Sequence, residues 1–437
     1  MTDRKGFSGA RAPFIFSAGL LLAAGSATLL DGASLAIARA FEGRIDLSSV
    51  PIELAEKGPL TQVEREAAQA AWRYFEANTQ PSTGLVNSVS GFPSTTLWDQ
   101  GTYLLALVSA ARLGVVDADE FNFRVASFIE GLGRVELFDG RLPNKVYDTQ
   151  SLEMVTYANE RAELGIGWSA LDIARLLMGL RVVEKHHPQH GDAIRQVLAG
   201  WDLSSMTAEG ELIGALRTES GEILYPQEGR IGYEQYGARA AALWGLDVIR
   251  AMSAERIVAW TDVEGVEVPT DLRRASSFGA ITPTLSEPYL LLAIELGLDA
   301  ENLALAHRIY AAQEARYEET GQVTAVSEDH LDRAPYFAYS SVTTNGRPWG
   351  VITEEGHFHD ELRTVSTKAT FGWSAVFGTD YAALARDEVI GLAGEEGFPA
   401  GIYEVDGAVN EALTLNTNGV ILEALHFQVF GPLWSVR

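Results

Sequence analysis

Apolar residues in this chain recur at helical spacing, and six segments are apolar nearly all the way round. They begin at Gly101 (GTYLLALVSAARLG), Ser169 (SALDIARLLMGL), Gly237 (GARAAALWGLDVI), Pro288 (PYLLLAIELGL), Thr367 (TKATFGWSAVF) and Thr417 (TNGVILEALHF). A helix without a polar face is covered on most sides, and the Ala and Gly in these segments let neighbouring backbones come close. More polar helices are predicted between them, over 118–134, 190–201, 301–318 and 381–392. Ahead of the first, Thr61 and Glu64 form the capping-box pattern, followed by Ala67, Ala71, Trp72 and Phe75 along one side. The apolar copies return roughly every 50 to 85 residues, a structural repeat of helix pairs. Buried helices alternating six times with exposed ones predict an all-α fold, an (α/α)6 toroid. Short β-hairpins are expected in its connecting loops, at 210–222 and 322–326. A generic large helical bundle is the alternative.

The N-terminal pattern is different. Arg4, Lys5 and Arg11 precede an uncharged, Leu- and Ala-rich run over 12–30, and Ala36, Ile37 and Ala38 offer a small-x-small cleavage site. This reads as a secretory signal, or else as an uncleaved membrane anchor. The expected organisation is therefore a signal or anchor over 1–38, an extended lead-in over 39–59 and one toroid domain over 60–437. Either reading places the domain in the periplasm or outside the cell, with membrane contact only through the N-terminus.

Composition narrows the chemistry. The chain has no cysteine, which removes disulfides, thiolate metal sites and cysteine nucleophiles. A net charge of −26 argues against a nucleic-acid partner, which needs a basic face. No phosphate loop, nucleophile elbow or zinc-protease motif is present. His186, His187 and His190, and likewise His357 and His359 with Asp360, fit solvated connections better than a ligand set. No cofactor and no metal are expected.

In a toroid the mouth of the cavity lies where the buried helices begin, and those starts share a composition. They read Trp98-Asp99, Trp168, Tyr233-Glu234-Gln235-Tyr236, Ser286-Glu287-Pro288-Tyr289, Lys368 and Asn416-Thr417-Asn418. Aromatic rings beside carboxylates, amides and hydroxyls suit sugars, whose C–H faces stack while their hydroxyls exchange hydrogen bonds. Cleavage of a glycosidic bond needs two carboxyl groups, one protonated and one ionised. Glu234, flanked by tyrosines, and Glu287 are the leading pair. A glutamate at a helix N-terminus is also favoured by the helix dipole without any catalytic role. The expected substrate-binding set is Trp98, Asp99, Tyr147, Asp148, Trp168, Glu228, Tyr233, Tyr236, Lys368, Trp373, Glu404, Asn416 and Asn418. Each has an ordinary structural explanation too: capping for Asp99, a turn for Asp148, a surface pair with Arg230 for Glu228, core packing for the aromatics.

Three segments carry a resemblance: Gly-Tyr-Glu-Gln-Tyr at 232–236, Ser-Thr-Lys-Ala-Thr-Phe-Gly-Trp at 366–373 and Asn-Thr-Asn-Gly-Val-Ile-Leu-Glu-Ala-Leu at 416–425. Together they resemble a bacterial family known as domain of unknown function 3131 (DUF3131), over about residue 60 to the C-terminus. The family name implies no reaction. A more distant similarity is to glucoamylase-like toroids acting on β-1,2-glucans. It is carried by Tyr103-Leu-Leu-Ala-Leu, Tyr147-Asp148-Thr149, an aromatic-Glu-Tyr segment like 233–236 with one residue inserted, and Ser286-Glu287. That similarity implies Glu234 as an acid, with the insertion shifting its place.

The leading expectation is a glycoside hydrolase or transglycosylase acting on a bacterial extracellular or periplasmic glucan. The alternative is a non-catalytic polysaccharide-binding or export-accessory protein, working beside a membrane glycan synthase. A polysaccharide lyase using Lys368, Arg230 and Arg347 fits so acidic a chain less well.

Overall fold

The computed structural model describes residues 45–47, 52–273 and 280–434. The expected export segment at 1–38 lies outside the described residues. Among the described residues no helix is long and apolar enough to cross a membrane.

Eleven helices are described. They are α1 (Gln62–Asn78), α2 (Leu97–Arg112), α3 (Ala118–Leu132), α4 (Ala170–His186), α5 (Gly191–Leu198) and α6 (Tyr233–Ala242). The rest are α7 (Glu287–Leu291, continuing as a π turn over Leu292–Leu296), α8 (Ala300–Thr320), α9 (Thr367–Val376), α10 (Asp380–Val389) and α11 (Leu415–Phe430). The six apolar segments are α2, α4, α6, α7, α9 and α11, and they contact one another in that cyclic order, with α11 returning to α2. Close approach depends on glycine. A Cβ on Gly101 of α2 would lie 2.6 Å from the Arg175 carbonyl carbon in α4, and one on Gly419 of α11 would lie 2.3 Å from the Thr102 methyl. Three of the six inner helices start on a side-chain cap. Thr96, Ser169 and Thr414 accept from the backbone N–H groups of Asp99, Asp172 and Thr417, so side chains at the first turns are held in fixed directions. The Thr61–Glu64 capping box forms as the sequence predicts.

The outer partners are α1, α3, α5, α8 and α10. Between α6 and α7 the described chain forms a β-hairpin in place of a helix. Ten strands matter here, in chain order: β1 (Ser94–Thr96), β2 (Val146–Asp148), β3 (Val258–Val263), β4 (Val266–Asp271), β5 (Glu328–His330), β6 (Phe337–Ser340), β7 (Val351–Ile352), β8 (Thr364–Ser366), β9 (Pro399–Tyr403) and β10 (Val409–Leu413). β3 and β4 pair antiparallel around Glu264 and Gly265, both at positive φ as a two-residue hairpin requires, and β4 packs on α8. The sequence reading missed this hairpin and the three-stranded sheets β5–β6–β7 and β8–β9–β10. Near 210–222 two short hairpins form as expected, at 207–212 and 216–224, whereas 322–326 is not a strand. β1 and β8 run directly into α2 and α9, and β10 ends one residue before the Thr414 cap of α11, so strands aim three of the six helix starts.

Candidate active site

The first turns of the inner helices gather ionisable and aromatic side chains at one end of the ring. Glu287, the first residue of α7, is almost fully buried and ion-paired to Lys368 of α9. It also accepts both hydrogen bonds of the Asn416 amide, at 2.9 and 3.1 Å, from the start of α11. Lys368 lies 3.6 Å from Asp329 of β5 as well. Burial alone would depress this ammonium, but Glu287, Asp329 and Glu328 together raise it above its ordinary value, so it stays charged. Asp99 of α2 accepts from Ser88 at 2.5 Å and Thr96 at 2.9 Å. Its carboxyl is raised by burial and further by the charge of Glu287, which puts α2 and α7, three places apart in the ring, in electrostatic contact.

Two carboxyl groups that the sequence reading did not single out have the most perturbed proton affinities here. Glu328 of β5 receives a hydrogen bond from the Tyr233 hydroxyl at the start of α6, while its second oxygen is buried without a partner. Burial, then the charge of Glu287, pushes Glu328 up to about 8. Directly opposite it in the β5–β6 register stands Tyr339, so the two side chains share a face of the sheet. The field of Asp172, in the first turn of α4, also reaches the Tyr339 hydroxyl. Asp172 is itself pushed up to about 7 by burial and by the neighbouring charge of Glu228. Asp329 rises to about 6, chiefly through burial.

The aromatic floor is Trp98. Its indole meets Tyr233 edge-on at 5.4 Å, and the Arg175 guanidinium lies 4.8 Å from the ring. Trp98, Tyr233, Tyr339, Asp172, Glu328 and Asn416 are all half-buried, so each keeps an accessible part. Tyr157, within the field of Asp172, stands exposed at the rim. The arrangement can hold a proton on Glu328 at neutral pH, with a second carboxyl, Asp172, raised toward neutrality and acting on the same tyrosine, near a ring that can stack on a sugar.

Of the sequence-predicted residues, Trp98, Asp99, Tyr233, Glu287, Lys368 and Asn416 come together. Glu234 faces elsewhere: it is ion-paired at 2.5 Å to Arg273, which also binds Asp271. Burial outweighs that attraction and leaves its carboxyl raised, with Arg273 on one of its two oxygens. Glu228 accepts from Ser169 and from the Ala170 N–H, capping α4 and lending its charge to Asp172 rather than pairing with Arg230 on the surface. Tyr236 is fully buried, its hydroxyl donating to Glu295 at 2.6 Å.

Five further expectations are corrected by burial or pairing. Trp168 and Trp373 have no accessible ring face, and their indole N–H groups bond Ile213 carbonyl and Ser286. Tyr147 is buried against the Glu136 carbonyl, and Asn418 against the Phe398 backbone. Glu404 is clamped by Arg316 and Arg363. Asp148 makes the turn anticipated as its ordinary role, accepting from the backbone of Gln150 and Ser151. Asp172 carried one legible signal, an acid in the first turn of a mostly apolar helix. Glu328 lies just beyond the stretch read as a hairpin and carried none.

Surface depressions of about 460 Å³ between α3 and α5 and about 320 Å³ beside the β3–β4 hairpin lie on the outer layer, away from these groups.

The sequence profile of a family described as "protein of unknown function (DUF3131)" matches residues 66–431. A comparison with curated proteins gives no match. Solved structures do match in fold. A candidate glucoamylase from Bacteroides caccae is 15% identical, with a TM-score of 0.59 over 85% of this chain and 94% of its own. An endo-β-1,2-glucanase from Chitinophaga pinensis, in complex with sophorotriose and glucose, is 11% identical, with a TM-score of 0.61 over 86% and 94%. An endo-β-1,2-glucanase from Talaromyces funiculosus, a glutamate-to-glutamine variant holding β-1,2-glucan, is 13% identical, with a TM-score of 0.51 over 84% of each chain. At these identities the likeness is one of fold.

Proposed function

The chain belongs to the DUF3131 family, and we propose that it is a glycoside hydrolase or transglycosylase acting on a glucan exported by a bacterium. The cyclic contact order of six buried helices, and the likeness to glucoamylase-type and glucanase folds, support an (α/α)6 toroid with its cleft at the helix starts. The observation that carries the reading is the pair Glu328 and Asp172. The charges of both reach Tyr339, Glu328 accepts from the Tyr233 hydroxyl beside Trp98, Asp172 lies within the field of Asp99, and both have proton affinities moved toward neutrality. Glu328, protonated below about 8, is the general acid, and Asp172, ionised above about 7, is the base. Glu287, held by Lys368 and Asn416, raises the Glu328 proton affinity through its charge and so shapes the acid. No metal or cofactor enters this scheme.

The test is reducing-sugar release with product sizing from a panel of bacterial glucans that includes linear β-1,2-glucan. Glu328→Gln and Asp172→Asn should each lower kcat by about 10²–10⁴-fold while circular dichroism stays unchanged. The wild-type rate should rise as pH passes about 7 and fall as it passes about 8, because the base must lose its proton before the acid does. Full activity in both variants would remove this pair from the mechanism.

One observation favours a second reading. Glu234 and Glu287, the carboxylates best placed by sequence, both carry cationic partners, as in a site that orders a polymer without cutting it. On that reading the protein binds glycan beside a membrane synthase. Polymer binding without release of sugar from any glucan would establish it.

A further inference from the structure

The six inner helices run the same way, so their C-terminal ends share the face opposite the carboxyl cluster. Although the whole chain has a net charge of −26, this end collects cations. Arg112 ends α2, and Arg181 and Lys185 lie in the last turns of α4. Lys57, in the lead-in, passes here because Gly58 donates to the Gln428 carbonyl near the end of α11. These groups share one neighbourhood. Buried His426 of α11 feels Arg112, His186 and Lys57, and is pushed down to about 3, chiefly by burial. Lys185 feels Arg112.

Each cation lies over an aromatic ring. Lys57 stands 3.1 Å from the Phe427 centroid, Arg112 4.5 Å from Phe430, and Lys185 4.5 Å from Trp434. Phe430 is 44% exposed and Leu54, on the neighbouring lead-in, 52%. Of the acidic groups nearby, Glu184 pairs with Arg181 and Arg195, while Glu53 and Glu56 are exposed on the lead-in. Among the described residues no carboxylate is within ion-pair distance of Lys57 or Arg112. Cations alone would be explained by the negative ends of the helix dipoles. That explanation does not call for an aromatic ring beneath each cation, with one of them, Phe430, exposed. Aromatic bodies with cationic tips are the composition of a membrane–water interface.

We propose that this face rests on an anionic bilayer surface, with the carboxyl cleft directed away from it. The apolar run at 12–30 gives the proposal its geometry. The fifteen residues from 30 to 45 span at most about 50 Å when extended, enough to reach that same bilayer from Ile45. The inference rests on the chain being exported. It is independent of whether the cleft is catalytic.

The absence of cysteine allows a single label on the full chain. A fluorophore at Phe430→Cys reports the cationic face, and one at Glu354→Cys, whose charge reaches Tyr157 and Tyr339, reports the cleft side. The readout is acrylamide quenching on vesicles of phosphatidylcholine, with or without phosphatidylglycerol. The 430 label should be shielded severalfold on the anionic vesicles only, and the 354 label on neither. Raising salt from about 0.1 to about 0.5 M should relieve the shielding. Lys57→Gln and Arg112→Gln should each weaken the shielded state about fivefold. Lys57 is exposed on the lead-in, so its replacement keeps the test sound if the Arg112 variant misfolds. A 430 label as open as the 354 label overturns the proposal, as does equal shielding on neutral lipid. Shielding that appears only on native membranes carrying their proteins also overturns it and points to a protein partner.

Discussion

A carboxyl group that holds its proton at neutral pH makes its fold sensitive to pH. Glu328 moves from an ordinary 4.5 to about 8, and Asp172 from 3.8 to about 7. The folded protein therefore binds more protons than the unfolded chain between those limits, and its stability falls as pH rises through them. Glu328→Gln removes the Glu328 share of that dependence. Its midpoint of thermal unfolding should gain on the wild type between pH 5 and pH 8.5, while the variant loses activity. An equal difference at both pH values would show that Glu328 is not protonated in the fold.

The helices position these groups because their backbones nearly touch. Gly101 permits this between α2 and α4, where any Cβ would press on the Arg175 backbone. Gly101→Ala gains about 1 kcal/mol of helix propensity. Overpacking against a backbone that cannot yield costs about 1–3 kcal/mol. Denaturant unfolding should show a net loss, and the displacement of Trp98 and Asp99 three and two residues earlier should raise KM. The strands act at the same scale. The Glu328–Tyr339 pairing exists only because β5 and β6 meet in one register, and a slip of one residue would turn both side chains to the other face.

At the centre of the ring lies a charge cluster without solvent contact. Arg175 of α4 bonds Glu295 of α7 at 2.6 Å, Glu423 of α11 at 3.3 Å and the Tyr236 hydroxyl of α6 at 3.0 Å. Burial, then the charge of Glu295, raises Glu423 well above its ordinary value, which favours a proton on that carboxyl. This ties four inner helices together beneath Trp98. Arg175→Met strands a buried carboxylate and should cost about 3–5 kcal/mol in denaturant unfolding. Adding Glu295→Gln should restore much of it, an outcome that simple loss of packing would not give.

The six buried helices, the polar helices between them and the helix starts rich in aromatic and acidic residues could be read from the chain. Apolar periodicity and capping chemistry are local signals, and Trp98, Asp99, Tyr233, Glu287, Lys368 and Asn416 fall at positions they mark. What each side chain does there depended on partners distant in sequence. Arg273 occupies Glu234, Arg316 and Arg363 occupy Glu404, and close packing hides Trp168, Trp373 and Asn418. Glu328 gains its proton affinity from burial and from Glu287, forty-one residues earlier in the chain. Proton affinity is set by the surrounding dielectric and charges, and only the tertiary structure supplies those.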